Sequence, residues 1–455
     1  MNAFWFFLMV LGTSSLREAI MKELSLKGIV FAMVEAIDLV NFLLKNHHKR
    51  VAIITNALCQ EMKLDEATRR RAVLAASLHD AGALYVKERD ELVHLDIENP
   101  HPHAIRGAML LSEFDFFEEI SNIVLHHHRS WHFGQGETFL GKPVPIESFV
   151  IHLADRIDIL LDPEVSYFLQ KENIVNEINK REGHVFESEC VDAFNSLSEK
   201  EVFWLKIESI KFEDLLHEVF ESKEDVHVDY NTLERIAGLF SNIVDSRSPY
   251  TASHSKAVGE VAYELCKLCK IDEASCEKVR IAGLLHDLGK IAIPNEIVEK
   301  ETKLTDSEYQ IMKSHAYFTH QILSNIKGLE EICNWASMHH EKKDGSGYPF
   351  HLKQGEISLE MEVLNIADVF TALSENRPYR EGLTKENIME FLNKELSHLD
   401  GSYVLQVLKE NMQFLDERRF EVQKVTYEAY NDNIKKISEL TDLLRTKTME
   451  AKLQK

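Results

Sequence analysis

Thirty-two positions separate His47 from His79, and the same thirty-two separate His254 from His286. An aspartate follows each second histidine, Asp80 in one case and Asp287 in the other. Each pair is then followed by a further histidine (His103, His315), a histidine run (His126-His127-His128, His339-His340) and an aspartate (Asp155, Asp368). An ordered pattern that recurs within one chain marks a duplicated unit. It constrains the fold strongly, because both copies must bring the same set of distant residues together. Twenty-eight positions lie between His127 and Asp155, as between His340 and Asp368. That count matches His126 and His127 to His339 and His340, with His128 left open as the alternative.

The stretches that carry these residues suit helices. Only 18 Gly and 9 Pro occur in 455 residues, so breakers are few. Apolar positions such as Leu284-Leu285 and Val363-Leu364 recur at helical spacing, and strand-like alternation is rare. A chain of 455 residues exceeds a single core. The expected fold is all-α, with two helical domains in tandem.

Imidazoles and carboxylates are ligands for first-row metals such as Fe, Mn, Co, Ni or Zn. An adjacent His-Asp pair is useful because the carboxylate can bridge two ions while the imidazole binds one. Two ions about 3.5–4 Å apart can clamp both oxygens of an in-line phosphoryl displacement. Lys290 stands four positions after His286, near the same face if the segment is helical. Its ammonium could stabilise charge building on phosphoryl oxygens. Arg377 and Arg380, in N-R-P-Y-R, suit a second phosphate. The run Asp344–Pro349 reads as a turn-rich loop, in which Gly345 and Gly347 permit close backbone approach. Taken singly, each feature has an ordinary reading: a core histidine, a helix-end lysine, a turn, a surface arginine. Taken in order they do not, because independent coincidences multiply.

The run His286-Asp287-Leu288-Gly289-Lys290, with His339-His340-Glu341 and Gly347-Tyr348-Pro349, resembles the HD-GYP family of metal-dependent phosphodiesterases. The resemblance covers roughly 245–415 specifically, and 45–160 by ligand pattern alone. It implies two divalent transition-metal ions, Fe or Mn foremost. His254, His286 and Asp368 would bind one ion, His315, His339 and His340 the other, and Asp287 would bridge. It implies that Asp287 and Lys290 serve catalysis, and that Gly345, Gly347, Tyr348, Pro349, Arg377 and Arg380 meet the substrate. The implied substrate is a cyclic dinucleotide of bacterial second-messenger signalling, cyclic di-GMP or 3′,3′-cyclic GMP-AMP. Hydrolysis would give a linear dinucleotide and then mononucleotides. A non-catalytic cyclic-dinucleotide sensor and an HD phosphohydrolase of mononucleotides are the competing readings.

The chain departs from the family pattern at several positions. Tyr250 stands where members with a third metal use a carboxylate, Thr371 where Asp is frequent, Thr319 where Gly is frequent, and Ser358 where Pro is frequent. These departures bear on pocket shape and base preference and leave every two-metal ligand in place. The amino-terminal copy departs further. Its candidate second metal site is His47, His79, Asp80, His103, His126, His127 and Asp155, yet Ala83 stands in place of the lysine and no G-Y-P follows. Arg156 directly after Asp155 replaces the later arginine pair. A regulatory or dimerising role is the expectation. The alternatives are a separate phosphoester hydrolase or a decayed duplicate whose histidines fill a core.

A formal net charge of −23 argues against duplex nucleic acid as a partner, while bound cations can still favour a small anion locally. Six cysteines in no disulfide-like framework suit a reducing cytoplasm; Cys266-x-x-Cys269 lacks the partner pair of a zinc site. The apolar run Ala3–Leu11 is too short to span a bilayer and has no preceding cation, so neither a membrane span nor a secretory signal is expected; translation could begin at Met21. The expected domains are 20–160 (HD-like), 164–228 (helical connector), 230–415 (HD-GYP) and 417–455 (helical tail). Ile434, Ile437, Leu440, Leu443 and Leu444 form a patchy apolar stripe on that tail, for packing back on the domain or for docking. Expected associations are a homodimer and a protein partner such as a diguanylate cyclase domain.

Overall fold

A computed structural model describes residues 22–40, 45–83, 102–139, 141–220, 225–228, 230–245, 253–300, 302–375, 381–395 and 402–453. Arg377, Arg380, Tyr250, Met21 and the run Ala3–Leu11 lie outside the described residues. The fold is all-α, with four short strands among the described residues. The chain divides into two compact units: Met33–Glu224 with Asp432–Lys455, and Asp225–Asn431 with Met1–Ala32.

In the unit built on Met33–Glu224 the repeat motif rides on five helices. They are α1 (His47–Glu61), α2 (Glu66–Leu78), α3 (Pro102–Ser112), α4 (Glu118–Leu125) and α5 (Ile146–Ile159). α1 packs on α2 and α5, α2 packs on α4 and α5, and α3 packs on α4. The stretch expected to connect the domains forms four helices, Tyr167–Asn179, Ser188–Ser198, Glu201–Ser209 and Phe212–Val219. The last three pack on α1 and so belong to this unit. Phe194, Phe203 and Trp204 bury their rings there, and Trp204 Nε1 donates to Ser198 O at 2.9 Å. A buried indole N–H thus keeps a partner, as burial demands.

The other unit repeats the arrangement on α6 (His254–Leu268), α7 (Glu273–Leu285), α8 (Asp306–Leu323), α9 (Glu330–Ser337) and α10 (Leu359–Ser374). α6 packs on α7 and α10, and α7 packs on α9 and α10. Leu284, Leu285, Val363, Leu364 and Phe370 are buried, as the helical spacing of those pairs predicts. Truncating Phe370 to Ala would cost about 3–5 kcal/mol. The helix Tyr230–Asp245 covers α7, and strands Lys22–Ser25 and Asp225–Val228 pair antiparallel with Leu24 opposite Val226. A long helix, α11 (Tyr403–Leu453), follows, with non-helical backbone at Asn411.

The same local chemistry sets both copies. Asp65 and Asp272 stand fourteen residues before His79 and His286. Each caps its helix, accepting from Thr68 N and from Ser275 N at 3.0 Å. Gly82 and Gly289 stand three residues after those histidines. A Cβ on Gly289 would lie 1.9 Å from His315 O, and one on Gly82 would lie 2.1 Å from His103 O. Only glycine lets the turn after each His-Asp pair lie against the helix that carries the third histidine. In the second copy Thr319 stitches that crossing: Gly289 N donates to its Oγ1 at 2.9 Å, and its hydroxyl donates to His286 O at 3.1 Å. The departure from the frequent glycine therefore adds two hydrogen bonds at the crossing.

Candidate metal centre

His254 opens α6, His286 caps α7, and Asp287 begins the turn that follows. His315 lies mid-way along α8 and Asp368 on α10. His339 and His340 fall just past the end of α9 in a turn rather than within a helix. Lys290 likewise sits on a short 3-10 turn, Leu288–Ala292, because the helix ends at the His-Asp pair. The turn still brings its Nζ to 2.6 Å from Asp287 Oδ2.

All seven residues expected as ligands converge. His254, His286 and Asp287 form one group, His286, His339 and Asp368 a second, and His315, His339 and His340 a third. Ligand atoms within each group lie within 4.8 Å of one another. Asp287 faces two ways: Oδ2 is 3.3 Å from His286 Nε2, and Oδ1 is 3.6 Å from His315 Nε2. Asp368 Oδ1 lies 3.3 Å from His254 Nε2 and 3.7 Å from His286 Nε2.

The tautomers are set from behind. His286, His315 and His339 each place Nδ1 at 2.6–2.7 Å from the carbonyl three residues earlier, on Gly283, Met312 and Ala336. Nδ1–H is therefore the donor, and Nε2 points inward. Those three Nε2 atoms are buried without a hydrogen-bond partner. Burial lowers the pKa of His315 to about 4 and of His340 to about 3, and holds His339 well below the usual histidine range. Three imidazoles kept neutral by burial (His315, His339, His340), with His254 and His286 drawn toward the two carboxylates, form a nitrogen-and-oxygen donor set that suits a divalent metal. Burial works against the charge on Asp287, but His286 and Lys290 outweigh it and keep the carboxylate ionised.

The G-Y-P loop borders this centre. Gly347 approaches the backbone so closely that a Cβ would lie 2.4 Å from Lys342 N. Glu341 is buried and accepts from the amides of Phe350, His351 and Leu352 at 2.6, 3.0 and 2.9 Å. The glutamate of H-H-E thus holds the loop in shape. Tyr348 lies with its ring centroid 4.7 Å from that of His340. Lys313, two residues before His315 on α8, lies over the Tyr348 ring at 5.4 Å and over the Tyr309 ring at 4.9 Å. Gly345 and Pro349 belong to the same loop. Reasoning from sequence missed Lys313, Tyr309 and the role of Glu341; position on the His315 helix was the available signal for the first two.

The amino-terminal unit carries a comparable cluster. Asp80, His103, His127 and His128 form one group, and His47, His79 and Asp80 another. His79 and His127 donate from Nδ1 to Ala76 O at 2.8 Å and Val124 O at 2.6 Å. His126 is not in the cluster; its ring lies against Phe139 at 5.3 Å. His128 takes the second place, so spacing to Asp155 is one residue shorter than in the other copy. Arg156 donates from Nη2 to Asp155 Oδ2 at 2.6 Å, and Asp155 Oδ1 lies 3.5 Å from His47 Nε2.

Both clusters lie in stretches that resemble known proteins. Residues 238–403 and residues 44–160 each match a family model described as an HD domain. A 3′3′-cGAMP-specific phosphodiesterase 1 from Vibrio cholerae is 30% identical over 405 residues, covering 86% of this chain and 93% of its own length. The chain belongs to the HD superfamily of cyclic-dinucleotide phosphodiesterases. A cyclic di-GMP phosphodiesterase of Pseudomonas aeruginosa is 32% identical over 152 residues, 33% of this chain and 37% of its own. A crystal structure of a cyclic GMP-AMP-specific phosphodiesterase of V. cholerae shares the fold of this HD phosphodiesterase. Its TM-score is 0.61 at 23% identity, over 85% of this chain and 97% of that one. Among the described residues, no helix is long and apolar enough to cross a membrane.

Proposed function

We propose that this HD phosphodiesterase opens 3′,3′-cyclic GMP-AMP in preference to cyclic di-GMP, at the carboxy-terminal centre. The observation that carries the chemistry is the convergence of His254, His286, Asp287, His315, His339, His340 and Asp368, with the Nε2 atoms of His286, His315 and His339 buried and without a hydrogen-bond partner. The preference rests on likeness across both HD domains to a relative named for that substrate, whereas the likeness to the cyclic di-GMP relative described above spans a third of the chain.

Two divalent ions, Fe or Mn, suit the donor set, His254, His286 and Asp368 holding one, His315, His339 and His340 the other, and Asp287 both. Bound there, they would activate water and polarise the phosphoryl group. The net reaction forms a bond from water oxygen to phosphorus, breaks the bond to the 3′-oxygen, and leaves the proton on that oxygen. Lys290 Nζ, held beside Asp287, places a positive charge where the phosphoryl oxygens gain negative charge. Tyr348 and Tyr309, with Lys313 between them, offer rings for a base and a cation for the second phosphate. Arg377 and Arg380 are assigned to that phosphate from sequence alone.

The amino-terminal domain is assigned a regulatory role. It keeps metal-type donors but has Ala83 where Lys290 stands and no counterpart of the Tyr348 loop. Six buried free cysteines suit a reducing cytoplasm, and a homodimer and a cyclase partner remain the proposed associations. The test of the substrate assignment is competition: with both cyclic dinucleotides at equal concentration, the product of 3′,3′-cyclic GMP-AMP accumulates first. Equal or faster loss of cyclic di-GMP would reverse the assignment.

A further inference from the structure

Of the five imidazoles of the carboxy-terminal centre, His286, His315 and His339 are oriented by the carbonyl three residues earlier, and His254 cannot be. It is the first residue of α6, so no helical turn precedes it to supply a carbonyl. Its Nδ1 instead meets a carboxylate from another element: Glu375, which caps α10, at 3.0 Å through Oε1 and 3.1 Å through Oε2. Glu375 is 4% exposed. A buried carboxylate needs more than one partner to keep its charge. Gln423, on α11, donates from Nε2 to Glu375 Oε2 at 3.1 Å. The amide cannot turn over, because Arg419 donates to Gln423 Oε1, and Arg419 is itself held by Asp416 at 2.8 Å. A continuous path of hydrogen bonds thus runs from one face of α11 to a histidine whose other nitrogen lies 3.3 Å from Asp368 Oδ1.

We propose that Glu375, oriented by Gln423, is the positioning residue for His254: it takes Nδ1–H, turns Nε2 toward the metal position beside Asp368, and makes α11 part of the centre's support. The proposal rests on reading this centre as metal-binding. A carboxylate behind a ligating imidazole fixes its tautomer and raises its basicity. A backbone carbonyl does the first but carries no full charge. Unlike His286, His315 and His339, His254 therefore depends on a side chain for its strength, and substitution of that side chain can loosen it selectively. Gln423 contributes orientation and no charge, so its loss acts through Glu375.

The test is equilibrium binding of Mn(II) to the full-length metal-free protein, with bound metal read by EPR. Wild type is compared with Glu375→Ala, Glu375→Gln and Gln423→Leu, and circular dichroism and thermal unfolding of each metal-free variant run alongside. Glu375→Ala is expected to weaken Mn(II) binding at the carboxy-terminal centre about 10- to 100-fold. Glu375→Gln, which keeps an acceptor but not the charge, recovers part of the affinity, and Gln423→Leu loses less than Glu375→Ala. Unchanged Mn(II) affinity and an unchanged EPR signal in Glu375→Ala would overturn the proposal while leaving the metal centre intact. A loss of affinity that tracked a general loss of helix and unfolding temperature, equal in Glu375→Ala and Glu375→Gln, would overturn it too. Failure of the wild type to bind Mn(II) would overturn the metal reading of the centre, and the positioning with it.

Discussion

Lys290 Nζ lies 2.6 Å from Asp287 Oδ2, three residues along a 3-10 turn. The carboxylate faces the imidazoles, and the lysine side chain is a quarter exposed. Lys290→Met should leave bound metal unchanged and lower kcat by about 100- to 1,000-fold, the cost of removing one preorganised group from a charged transition state. Metal analysis beside steady-state kinetics separates the two effects. A variant that lost its metal would place Lys290 in the scaffold rather than in the chemistry.

Lys313 lies over the rings of both Tyr348 and Tyr309, and Tyr309 is 46% exposed. Lys313→Met and Tyr309→Ala should each raise KM by roughly 3- to 30-fold, about 1–2 kcal/mol of ground-state contact, with little change in kcat. A fall in kcat at constant KM would move these residues from binding into the chemical step.

Gly289 has no room for a side chain, because its Cβ would strike His315 O at 1.9 Å and Thr319 N at 2.6 Å. Gly289→Ala should destabilise its domain by about 3 kcal/mol and separate His315 from Asp287, so unfolding temperature and metal content fall together. Gly238, in the helix Tyr230–Asp245, has nothing within 4 Å of the added carbon. Gly238→Ala should stabilise by about 0.5–1 kcal/mol. Equal effects at the two sites would mean that the close crossing does not govern the geometry.

The amino-terminal cluster differs in the groups around its histidines. Asp158 is shared between His47 at 2.7 Å and Arg50 at 2.5 Å, and Arg156 holds Asp155 at 2.6 Å. Asp80→Ala should lower the metal bound per chain and leave turnover at the carboxy-terminal centre largely intact. A comparable loss of turnover would make this domain catalytic or tightly linked to catalysis.

The converging histidines and aspartates were legible because such side chains are few, polar and spaced by helix lengths, so a repeat of thirty-two positions exposed both copies. The same counting went astray at His126, where one residue fewer before Asp155 moves the pair to His127 and His128. A turn can absorb a residue without moving either helix, and spacing alone cannot see that. Glu341 was quoted within its motif but its role was not legible, since it acts on three amides nine to eleven residues downstream. Glu375 and Gln423 were invisible for a similar reason: Glu375 meets His254, 121 residues earlier, and Gln423 meets Glu375, 48 residues earlier. Sequence pattern reports what repeats along the chain, whereas these contacts exist only where helix ends meet.

The central claim is tested most directly by loading the purified protein separately with Mn(II) and Fe(II), incubating it with 3′,3′-cyclic GMP-AMP or cyclic di-GMP, and separating the products by chromatography. The account predicts a linear dinucleotide, formed faster from 3′,3′-cyclic GMP-AMP, and its disappearance in Asp287→Ala. Intact substrate after incubation with a demonstrably metal-loaded protein, or undiminished cleavage by Asp287→Ala, would contradict it.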